Sequence, residues 1–541
     1  MLLTRRLPRA AELRSGDGPR ARPPLGGGRA RAHRLAAGLA LALALLGCGS
    51  KTGLVVEELP PCESDAECDD GLFCDGLERC IEGRCRRGAP PACADEDPCT
   101  EDLCDEATRS CVNPPVEVAD DDGDGFFVLG LCGDDCDDQN AAVYPGADEV
   151  CNGIDDDCDV RVDEGASYSP EPGDTRLSFT EAASGRGDAV WSPLTETWGV
   201  TYWDYTDGSA DVLFRQLDPT GAPLDEPKLV TAEPGDAFGA AMVWTGREYG
   251  AVWQDRRAGV WEIFFNRFTP DGEKLGPDVR LTFAPFWSIN PSLAWTGSEF
   301  VVAWQDWRHQ LEAPENFEVY MTFLDAEGFE IGDDIRLTSD PDSSEAPVLA
   351  LGDEAIGVAF VDGRTGPEQV WMLVTSLTGD VLAGPFRVSA SATDAYAPAL
   401  IWAEDGWLVA WQEETPAGDF DVMGARVPWP GSAAAPVEGP FAVATGDAWA
   451  RRPRLLFNGD SLLVGYSDDR SGAYDVWAAL YDTRFGRLGE DIRVTRGPRD
   501  SVYGTLSRGG TSVGVLFEDQ RDSNWEVYFT RLLCAEGALE R

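Results

Sequence analysis

The chain has 541 residues and a hydrophobic content of 43%, which is ordinary for a globular protein. Its 96 acidic residues against 44 basic ones give a net charge of −52, which excludes the basic surface that nucleic-acid binding requires. The only histidines are His33 and His309, so the imidazole-rich sets typical of transition-metal sites are also excluded. We expect a solvated extracytoplasmic protein of several domains that can recruit divalent cations.

Residues 1–47 are predicted to be a lipoprotein signal peptide. An arginine-rich stretch precedes an apolar run, Leu35 to Gly47, that is too short to span a bilayer and has the length of a signal-peptide core. The run ends in LLGC and resembles a bacterial lipobox, in which the cysteine, here Cys48, is lipidated. This resemblance implies a lipid anchor followed by a linker over residues 48–60. Because the next residue is Gly rather than Asp, it also favours the outer membrane, with the protein facing the periplasm or the cell surface. The alternative is an ordinary signal peptide with an incidental cysteine.

Residues 61–114 are dense in cysteine. Nine cysteines lie between Cys62 and Cys111, which after a signal peptide predicts a disulfide framework. A zinc site is excluded because the segment has no Cys-x-x-Cys pair and no histidine. Since nine is odd, one of these cysteines needs a partner elsewhere. Cys534 is the candidate, and a free thiol at each end of the chain is the alternative.

Two clusters of aspartate follow in residues 115–166. The first is a DxDxDG loop starting at Asp120, a spacing in which alternate carboxylates converge on one hard cation while Gly takes the sharp turn. Its twelfth residue is Leu131 rather than Glu, so the loop is not an EF-hand, and its closing ligands are expected from the GDDCDDQN segment. The second cluster repeats the spacing from Asp155, with Val160 where Gly is expected. The predicted metal ligands are Asp120, Asp122, Asp124, Asp135, Asp137, Asp138, Asp155, Asp157, Asp159 and Asp163.

The run from residue 120 to residue 165 resembles the MopE-type metal-binding motif of secreted bacterial proteins. The DCDD, YPGADEVCNGIDDDCD and DEG segments carry this resemblance, and Val160 departs from it. The run is also similar to thrombospondin type 3 repeats, which place DxDxDG loops between cystines. The family name implies copper, but oxygen-only ligands favour calcium, so we expect a calcium cofactor. A disordered acidic linker is the alternative. The disulfide candidates here are Cys132, Cys136, Cys151 and Cys158.

Residues 170–541 contain a repeat of 51 to 56 residues. Its anchor, written AVWQD in its clearest copy, places an aromatic residue at seven positions, and each copy reads as four short strands separated by Gly/Asp turns. This pattern predicts an all-β fold with a seven-bladed β-propeller behind the small cystine and calcium module. The aromatic anchors are Tyr202, Trp253, Trp304, Phe360, Trp411, Tyr466 and Phe517.

The ends of the repeat predict how the ring closes. A fourth-strand sequence, DTRLSFT, precedes the first copy, whereas the last copy stops after its third strand. We therefore expect a strand over residues 176–179 to complete the blade formed by residues 503–533, which removes an open sheet edge. Five copies also carry Asp-x-Arg after the anchor, and four of these have a further acid or amide seven residues after the Asp. Such repeated pairs are predicted to be structural ion pairs, and His309 to be a surface residue.

The function class that fits these features is a lipid-anchored binding or scaffold protein. Its partners would be the outer membrane and an unknown protein or glycan ligand of the propeller. The first alternative is a secreted, glycan-acting hydrolase, which would need a pair of acids in the central funnel. The second is a purely structural surface protein. No nucleophile or sialidase Asp-box motif is present, so an enzyme is the less favoured interpretation, and the fold alone names no ligand.

Overall fold

A computed structural model describes residues 60–95, 99–114, 120–129, 133–147, 154–159, 167–205, 208–231, 234–309, 316–429, 437–459 and 461–535. Cys48, with the predicted signal peptide and nearly all of the linker, lies outside these residues, as do Cys132, Cys151 and Asp163. In the described ranges no helix is long and apolar enough to cross a membrane. The chain divides into two compact units, one of Met1–Ala92 with Cys104–Cys111 and one of Cys93–Leu103 with Val112–Arg541.

The cysteine-rich segment is held by disulfides rather than by an apolar core. It contains one 3-10 turn, Asp65–Glu67, and two small two-stranded sheets. The strands are β1 (Arg79–Ile81), β2 (Arg84–Arg86), β3 (Leu103–Asp105) and β4 (Ser110–Val112). Its disulfides include Cys62–Cys80, Cys68–Cys85 and Cys74–Cys104. The predicted disulfide framework is confirmed, and it replaces the core that so short a segment cannot build.

Four further cysteines are relevant to the prediction that one of the nine cysteines pairs outside the segment. Cys93, Cys99, Cys111 and Cys534 are each disulfide-bonded. The alternative of a free thiol at Cys534 is therefore wrong, and a bond from Cys534 to the cysteine-rich segment stays a prediction.

The remaining strands form a β-propeller of seven blades, which confirms the prediction. Each of blades 1 to 6 is a four-stranded antiparallel sheet whose strands follow in chain order from the inside outward. Blade 1 consists of β7 (Ser184–Ser192), β8 (Thr197–Tyr205), β9 (Ala210–Leu217) and β10 (Lys228–Leu229). Blade 2 consists of β11 (Ala237–Trp244), β12 (Tyr249–Asp255), β13 (Glu262–Phe268) and β14 (Val279–Arg280). Blade 3 consists of β15 (Ser288–Trp295), β16 (Phe300–Asp306), β17 (Glu318–Leu324) and β18 (Glu330–Arg336).

The other blades repeat this order. Blade 4 consists of β19 (Ser344–Leu351), β20 (Ala355–Asp362), β21 (Gln369–Ser376) and β22 (Val381–Arg387). Blade 5 consists of β23 (Ala395–Ala403), β24 (Gly406–Glu414), β25 (Phe420–Pro428) and β26 (Glu438–Ala444). Blade 6 consists of β27 (Arg451–Phe457), β28 (Leu462–Asp468), β29 (Asp475–Tyr481) and β30 (Ile492–Arg493). Blade 7 takes only β31 (Ser501–Gly509), β32 (Ser512–Asp519) and β33 (Glu526–Ala535) from the end of the chain.

Blade 7 is completed from the front of the propeller, as predicted, but by two short strands. These are β5 (Ser167–Pro170) and β6 (Thr175–Arg176), and both pair antiparallel with β33. The pairing thus starts upstream of the predicted boundary at residue 170. It is interrupted around Gly173, where φ is +100°, a backbone conformation that a strand does not adopt. The result is a closed ring without a free edge at its junction.

The repeated anchor positions form the core. All seven aromatic side chains predicted as anchors are at most 2% exposed, and they pack between neighbouring blades. Burying one side chain of this size stabilises the fold by roughly 1.5–3 kcal/mol. The 51- to 56-residue period is therefore the period of the core itself.

Candidate functional site

The first aspartate loop folds as its spacing predicts. Carboxylate oxygens of Asp120, Asp122 and Asp124 lie within 4.8 Å of one another. Gly123, at φ +85°, donates its N–H to Asp120 Oδ1 at 2.6 Å, and Phe126 N–H donates to Asp124 Oδ1 at 2.8 Å. These turns direct alternate carboxylates to the same side of the loop, as a cation site of this class requires.

Asp135 approaches this loop from the GDDCDDQN segment. It is 1% exposed, and Asp135 N–H donates to the carbonyl of Phe127 at 3.0 Å. Burial raises the pKa of Asp122, and the negative charges of Asp124, Asp135 and Asp120 raise it further. The other predicted ligands of this segment are placed differently: Asp138 accepts the N–H of Asp121 at 3.2 Å, and Asp137 is exposed.

The second loop brings together Asp155, Asp157 and Asp159, whose carboxylate oxygens also lie within 4.8 Å of one another. Asp159 N–H lies 3.1 Å from an oxygen of each of the other two. The Cys136–Cys158 disulfide joins this loop to the segment that carries Asp135. Two of the four disulfide candidates are thus bonded to each other.

The residues present fit a hard cation. Buried oxygens of Asp122, Asp124 and Asp135, one on each, have no hydrogen-bond partner. Buried carboxylate oxygens without a donor are what a bound cation would satisfy. Among the described residues of this motif, the sulfur atoms belong to the Cys136–Cys158 disulfide and are not available as thiolates. A divalent ion held by the first loop would neutralise the repulsion between its carboxylates.

The repeated Asp-x-Arg pairs of the propeller tie strands together, as predicted. In blade 3, Asp306 accepts hydrogen bonds from Ser288 Oγ at 3.0 Å, Trp304 Nε1 at 2.9 Å and Arg308 Nε at 2.8 Å. Arg308 also contacts Asp334 at 2.8 Å. The same Asp-to-Arg salt bridge is present in five blades, at Asp255/Arg257, Asp306/Arg308, Asp362/Arg364, Asp468/Arg470 and Asp519/Arg521.

The acid at the start of the third strand is also structural. Glu318, for example, accepts hydrogen bonds from Arg336 Nη2 at 2.8 Å and Thr338 Oγ1 at 2.6 Å, which fixes the fourth strand of its blade. His309 differs from its prediction as a surface residue: it is half-buried, and its Nε2 lies 2.6 Å from the hydroxyl of Tyr320, on which the ring stacks. None of these groups is arranged around an open space.

The central channel is the open site of the propeller. The innermost strands of all seven blades enclose a cavity of 850 Å³. Each inner strand carries one extra residue, a β-bulge, at the level of the channel. In blades 2 to 7 the bulge holds a residue at positive φ: Gly239, Asn290, Ala346, Ala397, Arg452 and Tyr503. Five of these are not glycine, a backbone strain that clusters at functional sites.

The second strands hold these bulges in place across the gaps between blades. The side-chain oxygen of Gln254 accepts the N–H of Asn290 at 2.9 Å, and that of Gln305 accepts the N–H of Ala346 at 2.7 Å. Gln412 makes the corresponding bond to Arg452 N–H at 3.2 Å. The Gln of the WQD motif is therefore an inter-blade tie, which we name the glutamine latch.

Three acids in the channel wall have raised pKa values. Burial, together with the negative charges of Glu345 and Asp394, raises the pKa of Glu368 to about 7. Burial also raises the pKa of Glu345, and that of Asp188 to about 6. On the blade 6 side the wall is cationic, with Arg454 and with Arg452, whose guanidinium lies 3.5 Å from the ring centroid of Tyr503.

The sequence pattern did not predict these channel residues, because the WQD motif lies on the second strand of each blade and the channel is lined by the first. A signal was present: four bulges place Pro directly after the residue at positive φ, as in Asn290-Pro291 and Ala346-Pro347. Aligning the copies on that Pro would have indicated which side chains lie at the channel.

Comparisons with known proteins were made for the sequence and for the structure. The comparison with curated proteins found no match. Among solved structures, the phage phi92 endosialidase is similar at 10% identity and a TM-score of 0.41, covering 69% of this chain and 70% of that one. The Trypanosoma rangeli sialidase is similar at 10% identity and a TM-score of 0.37, covering 58% and 57%. A thermostable family-43 glycoside hydrolase is similar at 11% identity and a TM-score of 0.31, covering 50% and 98%. At these values the likenesses carry no argument about function.

The sequence comparison concerns the aspartate loops. Residues 135–164 match the family model Cu-binding_MopE, described as "Putative metal-binding motif". The matched residues contain the second aspartate loop, together with Asp135 and the Cys136–Cys158 disulfide. The chain thus carries a MopE-type metal-binding motif in front of a seven-bladed β-propeller.

Proposed function

We propose that this chain is an extracytoplasmic binding protein whose propeller holds a peptide or glycan ligand in its central channel. The observation that carries this proposal is the asymmetry of the channel. Positions that serve the fold repeat from blade to blade, whereas the residues at the channel wall differ between blades and include Asp188, Asn290, Glu345, Arg452 and Tyr503. A sevenfold scaffold with an asymmetric channel suits one asymmetric ligand.

The chemistry of the wall favours a polar ligand with both donors and acceptors. Glu345 and Glu368 offer acceptors on the blade 4 side, and Arg452 and Arg454 offer donors on the blade 6 side. Because the acids are partly desolvated, a hydrogen bond from a ligand hydroxyl or amide would be stronger there than at an exposed carboxylate. Sugar hydroxyls and peptide amides both meet this requirement.

The test is a glycan and peptide array probed with the mature protein, followed by titration of any ligand found. We expect Glu368→Gln to weaken binding at least tenfold, because a hydrogen bond from the ligand to an ionised carboxylate contributes about 1.5–3 kcal/mol. The control is Glu354→Gln, which removes the same charge from an exposed position in blade 4. Equal affinity in the two variants would place the ligand outside the channel.

One observation favours the hydrolase alternative. Glu345 and Glu368 are two interacting acids in the channel, and a carboxyl with a pKa near 7 suits a general acid. Chromogenic glycosides distinguish the two functions: an enzyme would turn them over and lose that turnover in Glu368→Gln, whereas a binding protein would show none in either form.

For the aspartate motif we propose calcium rather than copper. The ligands that fit are carboxylate oxygens, and the neighbouring cysteines Cys136 and Cys158 are joined as a disulfide. Calorimetry of the full chain against calcium and against copper is the test, with Asp122→Asn plus Asp157→Asn as the variant. Tighter binding of copper than of calcium, lost in that variant, would overturn the choice of metal.

We also propose that a lipid on Cys48 anchors the mature protein in the outer membrane. The LLGC sequence after an apolar core supports this placement.

A further inference from the structure

A third group of acids lies in the cysteine-rich segment, apart from the two aspartate loops. Asp70, Asp75 and Glu78 each place one carboxylate oxygen within 4.8 Å of the others. Their spacing does not follow the DxDxDG pattern, so the sequence did not point to them. Glu78 is only 9% exposed, Asp75 is half-buried and Asp70 is open to solvent. The group is therefore buried at Glu78 and accessible to solvent at Asp70.

Two oxygens in this group are buried and unsatisfied. Asp75 Oδ1 and Glu78 Oε1 have no hydrogen-bond partner. Across the described ranges, no salt bridge involves any of the three acids. A buried carboxylate oxygen without a partner costs on the order of 1–3 kcal/mol or more, and like charges this close together repel each other. A water molecule could donate to both oxygens, but it would leave the negative charges unbalanced.

The surrounding loop is fixed independently of these acids. Cys74, between Asp70 and Asp75, is bonded to Cys104. The Glu106 carboxylate accepts the N–H of Phe73 at 2.7 Å and the N–H of Cys74 at 2.6 Å. The acids are thus held together by a disulfide and by hydrogen bonds from outside the group, which is how a preorganised binding site is built.

Gly76 shows how tightly the loop is packed. Its φ is +89°, and a Cβ at this position would lie 2.2 Å from the carbonyl oxygen of Ala89. The turn that carries Asp75 toward Glu78 therefore depends on glycine.

We propose that Asp70, Asp75 and Glu78 bind one calcium ion. Hard carboxylate oxygens suit calcium, which takes about six to eight oxygen ligands and accepts irregular geometry, so solvent at the Asp70 side can complete its shell. Magnesium fits less well because it demands near-octahedral ligands. Zinc lacks its preferred ligands, since Cys62, Cys68, Cys74, Cys80 and Cys85 are all in disulfides. The ion would link the turn at Gly76 to the start of β1 and so add a second kind of cross-link to the cystines.

The test is the number of calcium ions bound per full chain, measured by equilibrium dialysis at about 5 mM calcium, above the roughly 0.1–1 mM dissociation constants of extracellular sites. We expect the double variant Asp75→Asn, Glu78→Gln to bind one ion fewer than the unchanged chain. The matched control, Glu63→Gln with Glu82→Gln, removes two exposed charges from the same segment and should bind the full number. An unchanged count in the Asp75/Glu78 variant would overturn the proposal.

A second measurement needs no variant and so does not depend on the variant folding. Hydrogen exchange of peptides covering residues 69–79 is followed in the full chain with calcium and with chelator. We expect calcium to slow exchange there, whereas equal rates would contradict the site. If magnesium at the same concentration gives the same protection, the choice of calcium is wrong.

Discussion

Glu368 allows a direct test of whether the surroundings of the channel acids destabilise their ionised form. Burial and the charge of Glu345 raise the pKa of Glu368 from 4.5 to about 7. In the unfolded chain the carboxyl ionises near 4.5, so between pH 4.5 and pH 7 the folded state holds a proton that the unfolded state has lost. The free energy of unfolding therefore falls as pH rises through this window, and the loss is complete above pH 7.

The size of the effect follows from the same values. A difference of about 2.5 pH units, at 1.36 kcal/mol per unit, gives an upper limit of about 3 kcal/mol. Solvent in the channel screens part of this, so we expect about 1–3 kcal/mol. Glu368→Gln keeps the shape of the neutral acid and cannot ionise. Relative to the unchanged chain, it should be no more stable at pH 4 and more stable by this amount at pH 8.

Tryptophan fluorescence during urea unfolding is a suitable assay, because all 18 tryptophans lie after residue 190 and so report on the propeller. Midpoints are compared from pH 4 to pH 8 for the unchanged chain, Glu368→Gln and the exposed control Glu354→Gln. A gain in stability for Glu368→Gln that is the same at every pH, or that appears only at low pH, would contradict this prediction. It would show that folding does not destabilise the ionised form of Glu368.

Four further predictions concern the ring and its attachments. Deleting residues 167–178 removes β5 and β6 and exposes the edge of β33. We therefore expect a lower melting temperature and self-association in size-exclusion chromatography. A monomeric, equally stable product would contradict the predicted closure of the ring. Gln305→Leu removes a glutamine latch and should destabilise the propeller by about 1–3 kcal/mol in urea unfolding, against Gln520→Leu as a control outside the latch positions. Cys48→Ser should move the protein from the membrane to the soluble fraction, and unchanged fractionation would refute lipidation. Non-reducing peptide mapping should find Cys534 linked to a cysteine between Cys62 and Cys111, and any other partner would refute that pairing.

The sequence predicted the propeller well because its core is periodic. A buried aromatic at each anchor and a charged pair after it recur in most blades, so every copy reinforces the same interpretation. The closing strand could also be predicted, since an unmatched RLS segment at one end and a missing strand at the other are both visible in the letters. Its exact course could not, because the interruption at Gly173 depends on how the chain turns beside β33.

Prediction from the sequence was less complete for the aspartate loops and the channel. The 1-3-5 spacing placed Asp120, Asp122 and Asp124 correctly because their convergence is local. Which later acid approaches them depends on tertiary folding, and the structure brings Asp135 rather than Asp137 into that position. The inner strands carry a Pro signal for the channel, but which channel acids face each other depends on the closed ring. The group around Glu78 follows no recognised ligand spacing, so the sequence did not predict it.

The glutamine latches have a consequence for how the ring can move. At the junction after blade 1 the latch position is Trp203, which packs against Phe238 with ring centroids 5.1 Å apart. At the junction after blade 4 it is Val361, whose side chain can neither accept a hydrogen bond nor stack. That junction therefore lacks a latch hydrogen bond from its second strand, and it lies beside Glu368. If the channel widens to admit a ligand, we expect blades 4 and 5 to separate first. The negative charges of Glu345, Glu368 and Asp394 repel each other on that side of the channel.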